Sequence, residues 1–547
     1  MGLNGYEGGN FGGIIVVFAV SYDYSGSYNS ALTTEQWNQL YAYQLAYGVR
    51  MVQYDVYPGL DYGSTALGGC CDSTVEQLVS LTDITNFTQS GLKTGAGVLN
   101  NFNGRQQMVF FMPFAQDWSP TSAVLQHAYI TWMTRGLYAG YRRVNLNTQI
   151  DDMFLETNIY TNSSESYRVT PSDMKAVASW VTTVNAKMPS GSSYYPEIGH
   201  NGNGNIIEAE EQSGGENKCP PGSIQYDEVP TTALEFQKTL GTGSNFWPTT
   251  PTTYGYKSTC VKLDSLEQWF ASSSNRDKFM HITHTFTHLE LNNATYSDAL
   301  KEIQFNQAWL SQVGLASGKF TSNGMIPPAI TGFHNGDVIR AWHDAGLTNC
   351  VNPRWATRIY YNCDSSDCTT QEWIDTSAGT GSFSDLLALE KAGTTRHLFD
   401  LYHDPYMFHQ ANLRNTGIGA TTINGVTSQI SIFQAWVETV VQEFVRLANW
   451  PIITLKQADF TTTFAARMAR DACGYGMSYT VSKNKITGVT VTASGNTCSQ
   501  PIPITFPGKI TSTQGFKTEQ VGNDPLTIWV KLTGSAVSFT LSTPISF

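Results

Sequence analysis

The 547-residue chain is poor in charge: Asp, Glu, Lys and Arg make up 14% of it, against about 25% in an average soluble protein. It has no dense run of Lys or Arg, and its formal net charge is −12. Binding to nucleic acid draws on clustered cations, so a polyanionic partner is excluded as the main ligand. Long apolar runs are missing as well. A membrane helix needs roughly 18 uncharged apolar residues, and the longest candidate, Gly12 to Val20, is far shorter and reads as a buried strand. No membrane span is expected. The opening Met1-Gly2-Leu3-Asn4 lacks a basic stretch followed by an apolar one, so no secretion signal is read there. Myristoylation would want Ser or Thr where Tyr6 stands. No internal repeat is visible. The hydrophobic share of 41% still suffices for sizeable cores and excludes wholesale disorder.

What is present points outside the cell. Gly, Ser, Thr, Asn and Tyr are plentiful, and Asn86, Asn162 and Asn293 open glycosylation sequons. Among nine cysteines, Cys219 with Cys260, Cys363 with Cys368, and Cys473 with Cys498 form local pairs that suit an oxidising compartment. Cys70, Cys71 and Cys350 find no partner by spacing. The chain is therefore expected to be part of a longer secreted protein that carries the signal.

The length suggests about three units. Gly12–Val20 is rich in Ile and Val, as a doubly covered strand should be. Thr33-Thr34-Glu35-Gln36 offers a capping box, Trp37, Leu40, Tyr41 and Leu45 follow at helical spacing, and Gly48 ends that helix. Strands over Val49–Val56 and Gln107–Pro113 continue the alternation, which implies a flavodoxin-like α/β domain over residues 1–142. Residues 143–472 again alternate strand and helix. They fit a (β/α) barrel, complete or incomplete, with a loop-rich insertion near 189–259. Strands are expected over Arg143–Ile150, Phe279–His284, His397–Tyr402 and Ile452–Leu455. From Cys473 the pattern alternates at period two, as in Val489-Thr490-Val491-Thr492, and predicts a small β-sandwich over 473–547.

Three short stretches carry chemistry. Asp151-Asp152 ends one predicted strand, His284-Thr285-Phe286-Thr287-His288 follows a second, and Leu401-Tyr402-His403 ends a third. In a parallel barrel all three lie where active sites are built. In one extended strand His284 and His288 would be about 13 Å apart, too far to share a metal. If the chain turns after His284, they share a face. No carboxylate lies between them, so the His-Glu-x-x-His zinc-peptidase pattern fails. A carboxylate from Asp151-Asp152 would complete a His₂Asp site with positions open for water. The second carboxylate is then a general base and His403, or alternatively His409, the acid that protonates a leaving amine. Alone, each stretch has a structural reading: a helix cap, a chance spacing, a core histidine.

Together these residues resemble the metal-dependent polysaccharide deacetylases of the NodB-homology type. The resemblance implies Asp151 as base, Asp152, His284 and His288 as ligands of zinc or, alternatively, cobalt, nickel or manganese, Leu401 at an acetyl pocket and His403 as acid. Met325-Ile326-Pro327-Pro328-Ala329 stands where the family has Arg-x-Pro-Tyr. The base-orienting Arg is missing there, and Arg354 is the candidate to replace it, with Trp355 walling the acetyl site. The stretch from Leu401 through Tyr406 and His409 to Asn412 is similar to the fungal secreted galactosaminogalactan deacetylases. That likeness implies an N-acetylhexosamine polysaccharide as partner, contacts from Tyr406 and His409, a biofilm or wall location, and a monomer. Such proteins carry a signal and a carbohydrate-binding module upstream, neither of which is read here. Two rivals remain. One is a metal-independent glycoside hydrolase pairing Asp151 with Glu290, Asp337 or Asp404; the other is a non-catalytic carbohydrate-binding wall protein.

Overall fold

The computed structural model describes residues 9–547 except 19, 60, 61, 63, 67–78, 82, 83, 90, 91, 116, 228 and 349–352. Cys70, Cys71 and Cys350 lie outside the described residues. The chain divides into two compact units. One comprises Arg143–Ala466 with Val521–Asn523. The other comprises the residues up to Arg142, Arg467–Gln520 and Asp524–Phe547.

The first of these is built on a six-stranded sheet. Its strands are β1 (Thr148–Met153), β2 (Glu197–His200), β3 (Met280–Thr283), β4 (Phe320–Met325), β5 (Trp355–Ala356) and β6 (Tyr406–His409), in the order β4-β3-β2-β1-β6-β5. Every pairing is parallel. Parallel neighbours need long crossovers, and helices Pro171–Lys187, Tyr296–Gln312 and Phe383–Phe399 lie in those connections. Strands β2 and β3 are buried at every residue, so covered strands, not alternating ones, form the centre. Val144–Asn145 pairs only with Ile452–Ile453, in a separate two-stranded ladder. Among the described residues no closed barrel forms. The sheet ends at β5 on one side and β4 on the other.

Two local expectations differ. The strand predicted over His397–Tyr402 is the end of helix Phe383–Phe399. The helix starts at Ser382, whose N–H donates to Asp385 Oδ2 at 2.7 Å, and buries Leu387, Glu390, Thr394 and Leu398 on one stripe. That 3.6-residue period outweighs the short apolar run. The 189–259 insertion is also not wholly irregular, since it contains β2 and helix Gly202–Glu211. The helix opens on Gly-Asn-Gly-Asn, a stretch of poor intrinsic propensity, and tertiary burial overrides it.

In the second unit Gly13–Val17, Arg50–Tyr54 and Arg105–Phe110 run parallel, but Leu92–Phe102 and Ile84–Gln89 are added antiparallel. This mixed sheet is not the all-parallel sheet of a flavodoxin-like domain. Gly13–Val17 is an edge strand, with Ile15 45% and Val17 43% exposed, so it is not doubly covered. Helix Thr34–Tyr47 does carry the capping box: Gln36 N–H donates to Thr33 Oγ1, Thr33 N–H donates to the Gln36 side chain, and Gly48 closes it at φ 62°. Two antiparallel sheets share one core of Val489, Val491, Ile502, Ile504, Ile528 and Phe539. Across the whole chain, the three cysteine pairs expected from spacing are disulfide-bonded.

A buried histidine pair joins β2 to β3. His281 Nε2 lies 2.9 Å from the carbonyl of Arg276, which can only accept, so this nitrogen carries the proton. Nδ1 then accepts from His200 Nε2–H at 2.9 Å. Burial pushes His281 down to about 4 from 6.5 and lowers His200 well below its ordinary value. Between these pH values the unfolded chain binds a proton that the folded chain refuses, so stability is present above 6.5 and lost as pH falls toward 4. Urea melts of wild type are expected to lose roughly 2 kcal/mol through His281 between pH 7 and pH 4.5. His281→Asn should flatten that slope.

Candidate metal centre

Strand β1 ends on Gln149-Ile150-Asp151-Asp152-Met153. Asp151 shares a face with Gln149. Its neighbour would point the other way, but the register against β2 breaks between Ile150 and Met153, and Asp152 takes φ 64°. Left-handed backbone at a non-glycine residue costs about 1–3 kcal/mol and persists where the surroundings impose it. Here it delivers the second carboxylate to the histidines. After β3 the chain turns at Thr285, φ 68°, and again at His288, φ 68°. This brings the two imidazoles to 4.9 Å between ring centres. Asp152 Oδ1 lies 3.1 Å from His284 Nε2 and 3.3 Å from His288 Nε2. One ligand atom from each residue falls within 4.8 Å of the others.

The chemistry of this donor set fits a divalent ion. His284 Nδ1 donates to the carbonyl of Ile326 at 2.8 Å, so a neutral ring turns a lone pair on Nε2 toward Asp152. With the ring neutral two acceptors face each other, and a cation between them, a divalent ion or the ring's own second proton, satisfies both. Burial works against charge on His284, yet the carboxylates of Asp151 and Asp152 outweigh it and raise its pKa. Burial brings His288 down to about 4, which keeps that ring in its neutral, ligating form. Asp152 is half-buried, and desolvation works against its charge, but His288 and His284 hold its carboxyl far below the usual range. Two imidazoles and one carboxylate are a ligand set for zinc or a related transition ion, with room left for water. Asn201 Nδ2 secures the turn by donating to the carbonyls of His284 at 2.6 Å and Thr285 at 3.1 Å.

Asp151 stands beside this triad and is itself buried. Arg354 Nη1 donates to its Oδ1 at 2.8 Å, and His409 Nε2 lies 3.8 Å from its Oδ2. Burial alone would raise Asp151; the guanidinium of Arg354, then His284 and His409, more than offset it and lower the pKa. Burial lowers His409. The pairing Asp151↔His409 is set by the parallel register of β1 and β6.

The other expected site residues lie elsewhere. His403 precedes β6, and its carbonyl accepts from Asn147 Nδ2 at 2.6 Å. Asn147 is four residues before Asp151, about 13 Å along an extended chain. The His403 ring sits edge-on to Phe464 at 6.3 Å. Leu401 occupies the turn after the helix at φ 61°, not a strand end. Trp355 stacks on His397 at 3.9 Å, and Tyr406 is buried against Trp436 at 4.9 Å. Of the residues expected around the substrate, Arg354 and His409 are brought to the carboxylates, while Trp355 and Tyr406 pack against other rings. The sequence reading missed the Ile326 carbonyl and Asn201. A backbone carbonyl leaves no residue-type signal, and a lone Asn in a Gly-rich stretch leaves little.

Comparison with known proteins decides the family. Residues 146–352 and 351–478 match the Agd3 deacetylase domain, residues 2–98 and 93–132 match Agd3 CBM87, and residues 479–545 match the Agd3 C-terminal domain. A solved structure, titled as the crystal structure of Agd3, a novel carbohydrate deacetylase, is 54% identical with a TM-score of 0.96. The alignment covers 100% of this chain and 93% of that one. The chain belongs to the Agd3 deacetylase family. No curated protein matches it. Asp151, Asp152, His284, His288, Arg354 and His409 all fall within the segments matched to the Agd3 deacetylase domain. The Agd3 CBM87 match covers the region read as flavodoxin-like, so the module not seen in the sequence corresponds to that mixed sheet.

Proposed function

We propose that the chain is a divalent-metal-dependent N-deacetylase acting on N-acetylgalactosamine residues of a secreted galactosaminogalactan, converting acetamido groups to amines and leaving a partly cationic polymer. The observation that carries this reading is the Asp152, His284 and His288 triad beside the Arg354-paired Asp151, in a chain of the Agd3 family. Bound by the triad, a divalent ion, zinc for preference, supplies Lewis acidity at the amide carbonyl and makes water more acidic. Asp151 takes the proton from the attacking water. Arg354 keeps that carboxylate ionised and fixed. His409 delivers a proton to the departing nitrogen. A C–O bond forms, the C–N bond breaks, and acetate and a sugar amine result.

The sugar identity is supported by likeness to the galactosaminogalactan deacetylases. A carbohydrate-binding module at the N-terminus suits a polymeric substrate, and Trp118, 71% exposed, offers a face for stacking on a sugar ring. Secretion is supported by the three disulfides and the sequons, and action as a monomer goes with the same reading. The test is acetate release from N-acetylgalactosamine oligomers, with N-acetylglucosamine oligomers alongside. Release is expected to be faster from the former, to stop with EDTA and to return on adding zinc. Chelator-resistant formation of new reducing ends would favour the glycoside hydrolase instead.

A further inference from the structure

Four donors converge on one carboxylate behind the turn that carries the two histidines. Glu302 lies on helix Tyr296–Gln312 and is fully buried. Its Oε2 accepts from the backbone N–H groups of Phe286 and Thr287, each at 2.9 Å. Its Oε1 accepts from the Trp247 indole N–H at 2.7 Å and from the Thr287 hydroxyl. A carboxylate is the acceptor-only group that serves four donors at once. Two of these donors are successive amides between His284 and His288, so Glu302 fixes the peptide planes of the turn itself.

That turn needs fixing. Thr285 and His288 both hold φ 68°, a conformation such residues keep only when their surroundings over-determine it. The cost of burying Glu302 also argues for a role. Among the described residues no Lys or Arg pairs with it, and a buried carboxylate without a cation is expensive where an apolar side chain would fill the space. The insertion meets the turn at the same place. Trp247 comes from the insertion and bonds Glu302, Phe246 N–H donates to Asp298 on the same helix at 2.6 Å, and the Tyr226 hydroxyl lies 3.1 Å from that of Thr287.

We propose that Glu302 is a positioning residue that sets the His284–His288 turn in its ion-binding shape, with Trp247 tying the insertion to it. The proposal rests on the metal reading above. Groups one step behind a ligand typically govern affinity by about 10–100-fold. Glu302→Gln keeps one acceptor oxygen but turns an NH₂ toward donors.

The experiment measures zinc affinity of the full chain by competition with a chromogenic chelator, together with urea stability of the metal-free protein. Glu302→Gln is expected to weaken zinc binding by about 10–100-fold. Thr287→Val, which removes the hydroxyl's bonds to Glu302 and Tyr226 and leaves both amides served, should weaken it several-fold. Trp247→Phe should lower metal-free stability while zinc affinity stays within about threefold of wild type, since the hydrogen bond it loses is to Glu302 and phenylalanine keeps an aromatic neighbour for Phe286 of the turn. Zinc affinity unchanged in Glu302→Gln would overturn the proposal, as would losses in all three variants that merely track their stability. If Glu302→Gln does not fold, unchanged affinity in Thr287→Val overturns it. A wild type that binds no zinc overturns the metal reading and this inference together. A wild type that binds, with variants that bind equally, overturns the inference alone.

Discussion

Asp152→Ala is expected to lose divalent-ion binding and acetate release together, with kcat/KM down at least about 10³-fold, or ~4 kcal/mol of transition-state stabilisation. Asp152 Oδ1 is the atom both imidazole nitrogens approach, at 3.1 and 3.3 Å. Removing it leaves two neutral nitrogens with no negative partner between them, too few ligands to hold an ion against water. The fold should persist. The side chain lost is a charged group at a strand end, and alanine keeps the backbone atoms of β1. Metal analysis of the purified variant alongside the acetate assay checks this. A variant that retains one equivalent of ion and full activity would remove Asp152 from the site.

The second large effect separates base from ligand. Asp151→Asn should keep its ion, because the carboxylate lost accepts from Arg354 and stands outside the triad. Acetate release should still fall by about 10²–10⁴-fold, the usual worth of a placed base. Arg354→Gln provides the companion result in pH. The guanidinium helps hold Asp151 below its ordinary value against burial, so its removal lets the carboxyl rise. A base works only when ionised, so the acidic limb of kcat/KM must move to higher pH in Arg354→Gln. A limb that stays in place would show that another group governs it. Metal loss in Asp151→Asn would show that the two aspartates do not divide the work.

Much of this centre was legible because its signals are local. The Asp151-Asp152 dipeptide, the four-residue spacing of His284 and His288, and the absence of a carboxylate between them are properties of short stretches. The structure keeps their meaning, since a register break at Asp152 and left-handed turns at Thr285 and His288 give the shape that the spacing required. The capping box at Thr33 and the stop at Gly48 were legible for the same reason. Choosing between His403 and His409 was not a local question. Both lie within one short stretch, and only the pairing of β6 with β1 puts His409 opposite Asp151 and leaves His403 near Asn147.

Residue order alone therefore determined which side chains gather at the candidate ion site, the disulfide partners and the class of chemistry, because each depends on side-chain type at short range or on a covalent preference. Tertiary structure decided which histidine faces Asp151, that Arg354 returns from 203 positions away to hold it, and that among the described residues the sheet stays open. Those outcomes depend on strand register and on contacts between distant segments. Such energies arise only when the whole core packs, and no window of sequence contains them.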